Sequence, residues 1–241
     1  MAIPLEINKV GKRYGKKSAP KVISDISFDV KEGEIFGLIG LNGVGKTTLI
    51  KVILDLHKAT EGEAKIFGVD SKDYKARQKL SYLPEKFSPS HLLKGTEFLN
   101  LAVQAYGKDL NIGKAKADAE KLQLNPDVLD KRVSKYSKGM GQKLGLLSVF
   151  LTDAPFLILD EPMSGLDPRA RVLLKDYMLE QRKAGKTIFF SSHILSDVDE
   201  LCDRVGVIHG GGLKFLGTPK EMKSRFGNEI LERAFLECIQ R

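Results

Sequence analysis

The sequence is poor in the features that would export a chain or place it in a membrane. Its two cysteines, Cys202 and Cys238, have neither the number nor the spacing of a disulfide framework or a zinc site, which fits a reducing compartment. No apolar run reaches the roughly 20 residues that a membrane-crossing helix needs, so any membrane role is expected to come through a partner. The opening MAIPLEINKV lacks the basic stretch, apolar run and small-residue cleavage site of a secretory signal, and the chain is expected to stay in the cytoplasm. Zinc-finger spacing, aromatic-rich RNA-reading strands, internal repeats and low-complexity segments are also missing.

What is present is a chain of 241 residues with the hydrophobic and charged fractions of an ordinary globular protein, long enough for one large core or two small ones. Its formal net charge of +8 is compatible with nucleic acid, anionic lipid headgroups or a polyphosphate ligand. Part of the excess is local, in Lys9, Lys12, Arg13, Lys16, Lys17 and Lys21 around Tyr14, and reads as a solvated basic face rather than a nucleic-acid site.

Segments of period two and period 3.6 alternate along the chain. Ile26, Phe28 and Val30 alternate with Ser27, Asp29 and Lys31, as in a half-buried strand. Three short, nearly continuous apolar runs, 34–40, 156–160 and 187–191, read as strands buried on both faces of a parallel sheet. Helical spacing joins Leu49, Ile50, Val52, Ile53 and Leu56, then Leu144, Leu147 and Leu151, then Val172, Leu173, Tyr177 and Leu179. Pro168 stands at the first position of the last of these helices and Gly185 just beyond its end. The stretch 94–152 is helical in pattern, with Phe98, Leu99 and Ala102 early and Leu122, Val128 and Leu129 later, and reads as a subdomain inserted into an α/β core formed by 1–93 and 153–241. Residues 205–216 read as a hairpin turning at Gly210 to Gly212.

Between the strand at 34–40 and the helix after it lie Gly40, Leu41, Asn42, Gly43, Val44, Gly45, Lys46, Thr47 and Thr48, which satisfy GxxxxGK[ST]. Glycines let the backbone curl so that successive N–H groups face phosphates, and the helix adds the positive end of its dipole. Lys46 is expected on the β- and γ-phosphates, Thr47 on Mg²⁺ and Thr48 on the α-phosphate. The motif implies nucleoside triphosphate binding without separating kinases, GTPases, motors and transporters. A second motif ends the strand at 156–160 with Asp160, Glu161 and Pro162. Asp160 suits the water shell of Mg²⁺, and Glu161, one residue on, suits the attacking water as orienting or basic group. The Asn-Lys-x-Asp reader of guanine is missing.

With these motifs in order, the chain resembles the ATP-binding cassette (ABC) ATPases over nearly its whole length. Tyr136, Ser137, Lys138, Gly139 and Met140, followed by Gly141, Gln142 and Lys143, match the family's signature loop in position and partly in letters. Ser164 to Asp167 match its D-loop, and His193 after Ser191 and Ser192 matches its switch histidine. The resemblance implies a P-loop fold with a RecA-like parallel-sheet core, an N-terminal antiparallel β subdomain and the inserted helical subdomain. It also implies a head-to-tail dimer, homodimeric or with a second ATP-binding subunit, that sandwiches ATP between the P-loop of one subunit and Ser137 and Gly139 of the other. It further implies catalytic roles for Glu161 and His193, an interface role for Asp167 near the partner's site, and Tyr14 stacked on adenine. A separately encoded integral membrane permease is the implied partner, with the chain peripheral on the inner face of the membrane, and no nucleic acid is expected.

Taken alone, Ser137 and Asp167 also read as helix N-caps, and Tyr14 as a buried strand residue. Two departures from the family pattern stand out. Tyr136, Lys138 and Met140 replace the first, third and fifth letters of Leu-Ser-Gly-Gly-Gln, and Met140 cannot hydrogen-bond a ribose hydroxyl as glutamine can. Glu85, after Ser81 to Pro84, stands where the family has glutamine and offers an oxygen to Mg²⁺ or its waters. Both variants resemble the ATPases paired with ABC-2-type permeases, mostly bacterial exporters. Two alternatives remain open: a soluble cassette ATPase of translation or DNA repair, and a non-hydrolysing ATP-switched regulator. The segment from Lys220 to Arg241 reads as a docking helix or a capping helix.

Overall fold

The structure, a computed structural model, describes residues 3–16 and 18–240; Met1, Ala2, Lys17 of the basic cluster and Arg241 lie outside the described residues. Two sheets organise the fold. The first is four-stranded and antiparallel, in the order β2 (Lys21–Val30), β1 (Leu5–Arg13), β4 (Glu61–Ile66) and β5 (Val69–Asp70). The second is six-stranded, in the order β10 (Gly212–Gly217), β9 (Arg204–His209), β3 (Ile35–Ile39), β8 (Thr187–Ser192), β7 (Phe156–Asp160) and β6 (Leu80–Leu83). All its pairings are parallel except the hairpin of β9 and β10, whose turn at Gly210 and Gly211 has positive φ.

The central strands β3, β7 and β8 are apolar nearly throughout because both of their faces are covered. Ile35, Ile39, Leu157, Leu159, Ile188 and Phe190 belong to one core, shared with the helices of the later part of the chain. Phe36, Leu38, Phe156, Ile158 and Phe189 belong to the other, together with the antiparallel sheet. There the rings of Phe28, Phe36 and Phe189 stack, with centroids 5.0 Å apart for Phe28 and Phe36 and 5.8 Å for Phe36 and Phe189. Truncating a ring of this kind to alanine typically costs about 3–5 kcal/mol. Helix α1 (Lys46–Ile53) lies in the second core and buries Leu49, Ile50, Val52 and Ile53. Leu56 does not continue that helix: it lies past the helix C-cap at Leu54 and is 60% exposed.

After α2 (Tyr74–Arg77) and β6, residues 94–152 hold α3 (Gly95–Gln104), α4 (Ile112–Lys121), two short 3₁₀ turns and α5 (Lys138–Phe150). Among the described residues this stretch has no strand, only an isolated bridge between Lys94 and Arg132. Its inner face, with Leu99, Leu129, Leu144 and Leu147, is continuous with the first core. Phe87 packs edge-on to Phe98 and over Gly145, where a Cβ would come within 2.7 Å of the ring.

Helix α6 (Pro168–Lys183) departs from the expected phase. Its buried face is Ala170, Leu174, Tyr177 and Met178, while Val172 is 51% exposed. The chain closes with α7 (Leu195–Leu201), α8 (Pro219–Arg225) and α9 (Leu231–Gln240). Helix α9 buries Leu231, Ala234, Phe235 and Cys238 against α7, α8 and β10, which is the arrangement of a capping helix; Ile230 stays outside, half exposed.

Candidate active site

The P-loop connects β3 to α1 at the C-terminal edge of the parallel sheet, the edge where open α/β sheets bind ligands. Helix α1 starts at Gly45 with φ 108° and no side-chain cap, so its first N–H groups stay free for an anion. Glycine is required there twice over: the φ is left-handed, and a Cβ would meet Ile23 Cγ2 at 2.6 Å. At Gly40 a Cβ would come within 2.6 Å of the Ile208 carbonyl oxygen.

Lys46 is buried and folded back into this loop. Its Nζ donates to the Gly40 carbonyl at 2.7 Å and to the Leu41 carbonyl at 3.3 Å, and pairs with Glu161 Oε1 at 3.2 Å. The other carboxylate oxygen of Glu161 lies 2.8 Å from Nδ1 of His193. Glu161 thus joins the P-loop lysine to the histidine after β8. It does so from a left-handed backbone conformation, φ 48°, uncommon for a residue with a side chain.

Asp160, the last residue of β7, is 0% exposed. Its Oδ1 accepts from Ser191 Oγ at 2.6 Å, and its Oδ2 is buried with no partner. Burial holds the Asp160 carboxyl above the usual carboxylate range, opposed by the hydroxyls of Ser191 and, nearby, Thr47, and reinforced by the charges of Glu85 and Glu161. Burial likewise raises the Tyr82 phenol, with Asp160 and Glu85 adding to it.

Lys46, Glu161 and His193 line one cleft of about 350 Å³ together with Asn42, Gly43, Gly45, Thr47, Thr48, Glu85 and Ser164, while the adjacent Asp160 is buried. Gly40, Leu41 and Val44 complete the loop behind it, with Leu41 exposed and Gly40 buried. The residues suit Mg²⁺: Asp160 keeps a buried carboxylate oxygen without a partner, the Thr47 hydroxyl is near that carboxyl, and phosphate and water, which this ion keeps readily, could supply the rest. Among the described residues no group of three or more His, Cys, Asp or Glu side chains forms an all-protein metal site.

Four expected residues lie away from the cleft. Ser137 is exposed and caps α5, its Oγ accepting from the Met140 N–H at 3.3 Å. Gly139 lies 3.9 Å, measured from a Cβ position, from the Gly165 carbonyl oxygen. Asp167 is exposed and caps α6, accepting from the Ala170 N–H at 2.9 Å, and that bond holds its carboxyl below the usual range. The N-cap readings of Ser137 and Asp167 therefore hold. The first turn of α5 is tied to the loop after β7, since Gln142 Nε2 donates to the Pro162 carbonyl at 3.3 Å.

Tyr14, the fourth, is not a buried strand residue. It follows β1, is 43% exposed, and its hydroxyl lies 2.6 Å from His57 Nδ1, with Lys12 Nζ 4.9 Å from the ring centre. Sequence reasoning gives no site role to Ser164 in the cleft, Ser191 behind it or His57 beside Tyr14. The first two are serines in otherwise explained runs, and nothing in a residue string pairs His57 with a tyrosine 43 positions earlier.

The ABC transporter family profile matches residues 23–164. An uncharacterised ABC transporter ATP-binding protein of Nostoc sp. is 38% identical over 208 residues, covering 84% of this chain and 62% of that protein. The linearmycin resistance ATP-binding protein LnrL of Bacillus subtilis is 32% identical over 233 residues, covering 94% of this chain and 73% of that protein. A solved ATP-binding subunit of an ABC transporter superposes with a TM-score of 0.88 at 33% identity, covering 97% of this chain and 98% of the other. The chain thus spans less than two thirds of the length of the Nostoc relative. No helix among the described residues is long and apolar enough to cross a membrane. The uncapped P-loop helix, the acidic pair closing β7 and the matches over most of its length together mean that this chain belongs to the ATP-binding proteins of the ABC transporter family.

Proposed function

We propose that the chain binds and hydrolyses Mg-ATP and drives a separately encoded integral membrane permease, acting as a dimer on the cytoplasmic face of the membrane. The observation that supports hydrolysis over a purely ATP-switched regulator is the contact chain Lys46, Glu161, His193 in one cleft. A regulator that only binds has no use for a carboxylate held between a phosphate-binding lysine and a histidine.

In this reading the α1 N-terminus and the P-loop N–H groups hold the phosphates, Lys46 neutralises the β- and γ-phosphates, and Thr48 serves the α-phosphate. Thr47, Asp160 and Glu85 are the groups that would hold Mg²⁺ or its waters. The ion, when bound, would supply Lewis-acid stabilisation of the developing phosphoryl charge. Glu161 orients water and takes its proton, and His193 keeps that carboxylate aimed. Tyr14 offers its exposed ring to the base, a contact that tolerates any base.

Ser137, Gly139 and Asp167 lie outside the cleft of their own chain, and the exposure of Ser137 and Asp167 supports a role towards the ATP of a second subunit. Residues 94–152 act as an inserted helical subdomain that carries the signature loop. The variant letters at Glu85 and in the loop from Tyr136 to Met140 support pairing with an ABC-2-type permease and an export direction.

Glu161→Gln tests this reading. Turnover should fall by about 10²-fold or more while ATP binding survives, since the amide keeps shape but not basicity. Light scattering after size-exclusion chromatography should show a dimer in Mg-ATP and a monomer in ADP. Parental turnover would remove Glu161 from the chemistry, and a monomer at saturating ATP would overturn the sandwich.

A further inference from the structure

We propose that Ser191 is a positioning residue that aims both acids of the cleft, Asp160 towards Mg²⁺ and Glu161 towards water. The inference rests on the reading of those two acids given above. Ser191 is not part of the cleft lining, and the run that marks His193 gives it no role of its own.

The parallel register of β7 and β8 sets Asp160 beside Ser191, and that of β3 and β8 sets Leu38 on its other side. Held in the middle of the sheet and fully buried, the hydroxyl bonds two polar neighbours. It donates to Asp160 Oδ1 at 2.6 Å and accepts from the Glu161 N–H at 2.9 Å. The direction of each bond is forced, because a backbone N–H can only donate and Ser191 has a single proton to give. The hydroxyl rotor is therefore locked.

Two consequences follow from that lock. With Oδ1 engaged, the buried oxygen of Asp160 left without a partner is Oδ2. Ser191 thereby selects which carboxylate oxygen is free for a metal or its water shell. The second consequence is at Glu161, where the backbone turns into the left-handed region at φ 48°. Such a conformation persists in a residue with a side chain only where its surroundings hold it. The bond from its N–H to Ser191 is such a restraint, at the point where the chain leaves β7 and swings the Glu161 carboxylate between Lys46 and His193. The neighbouring Ser192 bonds elsewhere, its Oγ accepting from the Ile194 N–H at 3.0 Å, and so shapes the turn at His193.

The test compares Ser191→Ala and Ser191→Thr with the parent in ADP binding by calorimetry, once in EDTA and once in Mg²⁺, and in the Mg²⁺ dependence of ATP hydrolysis. Partners one bond behind a metal site typically change metal affinity by about 10–100-fold. Ser191→Ala should leave ADP affinity in EDTA within about twofold of the parent, yet raise the Mg²⁺ needed for half-maximal hydrolysis about tenfold or more. Ser191→Thr, which restores a hydroxyl, should recover most of that loss. A general packing defect would instead weaken ADP binding equally with and without Mg²⁺ and would not respond to threonine; that result overturns the proposal. So does a folded Ser191→Ala with a parental Mg²⁺ response. Should alanine prevent folding, the near-isosteric Ser191→Cys serves in its place: its weakly bonding thiol should shift the Mg²⁺ requirement in the same direction, and a parental response overturns the inference. Glu161→Gln separates the two levels. Parental turnover in that variant sinks the underlying reading, whereas a trapped dimer beside a parental Ser191→Ala sinks only the role of Ser191.

Discussion

The phosphate cleft and the signature end of α5 are built on opposite principles. At the cleft Lys46, Glu161, Asp160 and Ser191 are buried and already bonded, Lys46 to Glu161, Glu161 to the exposed His193, and Asp160 to Ser191. At the starts of α5 and α6, Ser137 and Asp167 are exposed, each spending an oxygen on a local cap. Buried and mutually satisfied groups are preorganised for a ligand that enters, whereas exposed caps on open helix ends are available to a ligand that another molecule brings. In the proposed reading, one chain contains most of a phosphate site and, separately, surface groups that would close a second one.

The largest expected effect falls on the cleft. Lys46→Ala should weaken ATP binding by about 100-fold or more, because a charge-assisted contact inside a buried site is lost. A titration by calorimetry reads it, and tight Mg-ATP binding in a variant with the parental circular dichroism would contradict it. Ser137→Arg probes the other wall: ADP affinity of the monomer should stay within about twofold, while the dimer trapped by Glu161→Gln in ATP should be lost. If light scattering still finds that dimer, the two regions are not halves of one site.

Tyr14→Ala should reduce affinity about tenfold for ATP and GTP alike, the scale of about 1–3 kcal/mol that base stacking contributes. A loss confined to one base would mean that the ring reads base identity. The smallest effect concerns Asp160. Its carboxyl is raised by burial, so the folded chain holds that proton more tightly than the unfolded chain, and ionised Asp160 costs stability above the unfolded carboxylate range. The cost fades as pH falls through the raised folded value. Without nucleotide at neutral pH, Asp160→Asn should therefore melt higher than the parent, and the gap should narrow in acid. A lower melting point for the variant at neutral pH would show that the carboxylate is a net stabiliser of the empty fold.

Much of this architecture is legible without coordinates, for identifiable reasons. The runs at 34–40, 156–160 and 187–191 stand out because strands covered on both faces need apolar residues at nearly every position, and the observed β3, β7 and β8 are buried throughout. The glycines, Lys46 and Thr47 stand out because phosphate binding demands those residue types in a fixed order. Less visible is whatever depends on neighbours remote in sequence. The four residues of β6 are too few to separate from a loop, and its place at the sheet edge follows from pairing with β7. The phase of α6 is misleading in sequence because Val172 and Leu173 are apolar, yet the face against the core is set by Leu174, Tyr177 and Met178. Leu56 continues the apolar spacing of α1, although the helix ends before it. Ser191 is invisible as an aiming group because its partners come from register, which no single segment encodes.

The ion pair of Lys46 and Glu161 bears on how ligand entry depends on salt. A lysine waiting alone would draw a phosphate with its full charge, and binding would fade steeply as ionic strength rose. Here Lys46 already has a counter-ion 3.2 Å away, so a phosphate arriving at Nζ replaces one anionic partner with another. The gain is the difference between two pairings rather than the whole of one. In the proposed reading the exchange would release a carboxylate as a phosphate is seated, so that occupancy of the lysine and availability of the acid would be a single event.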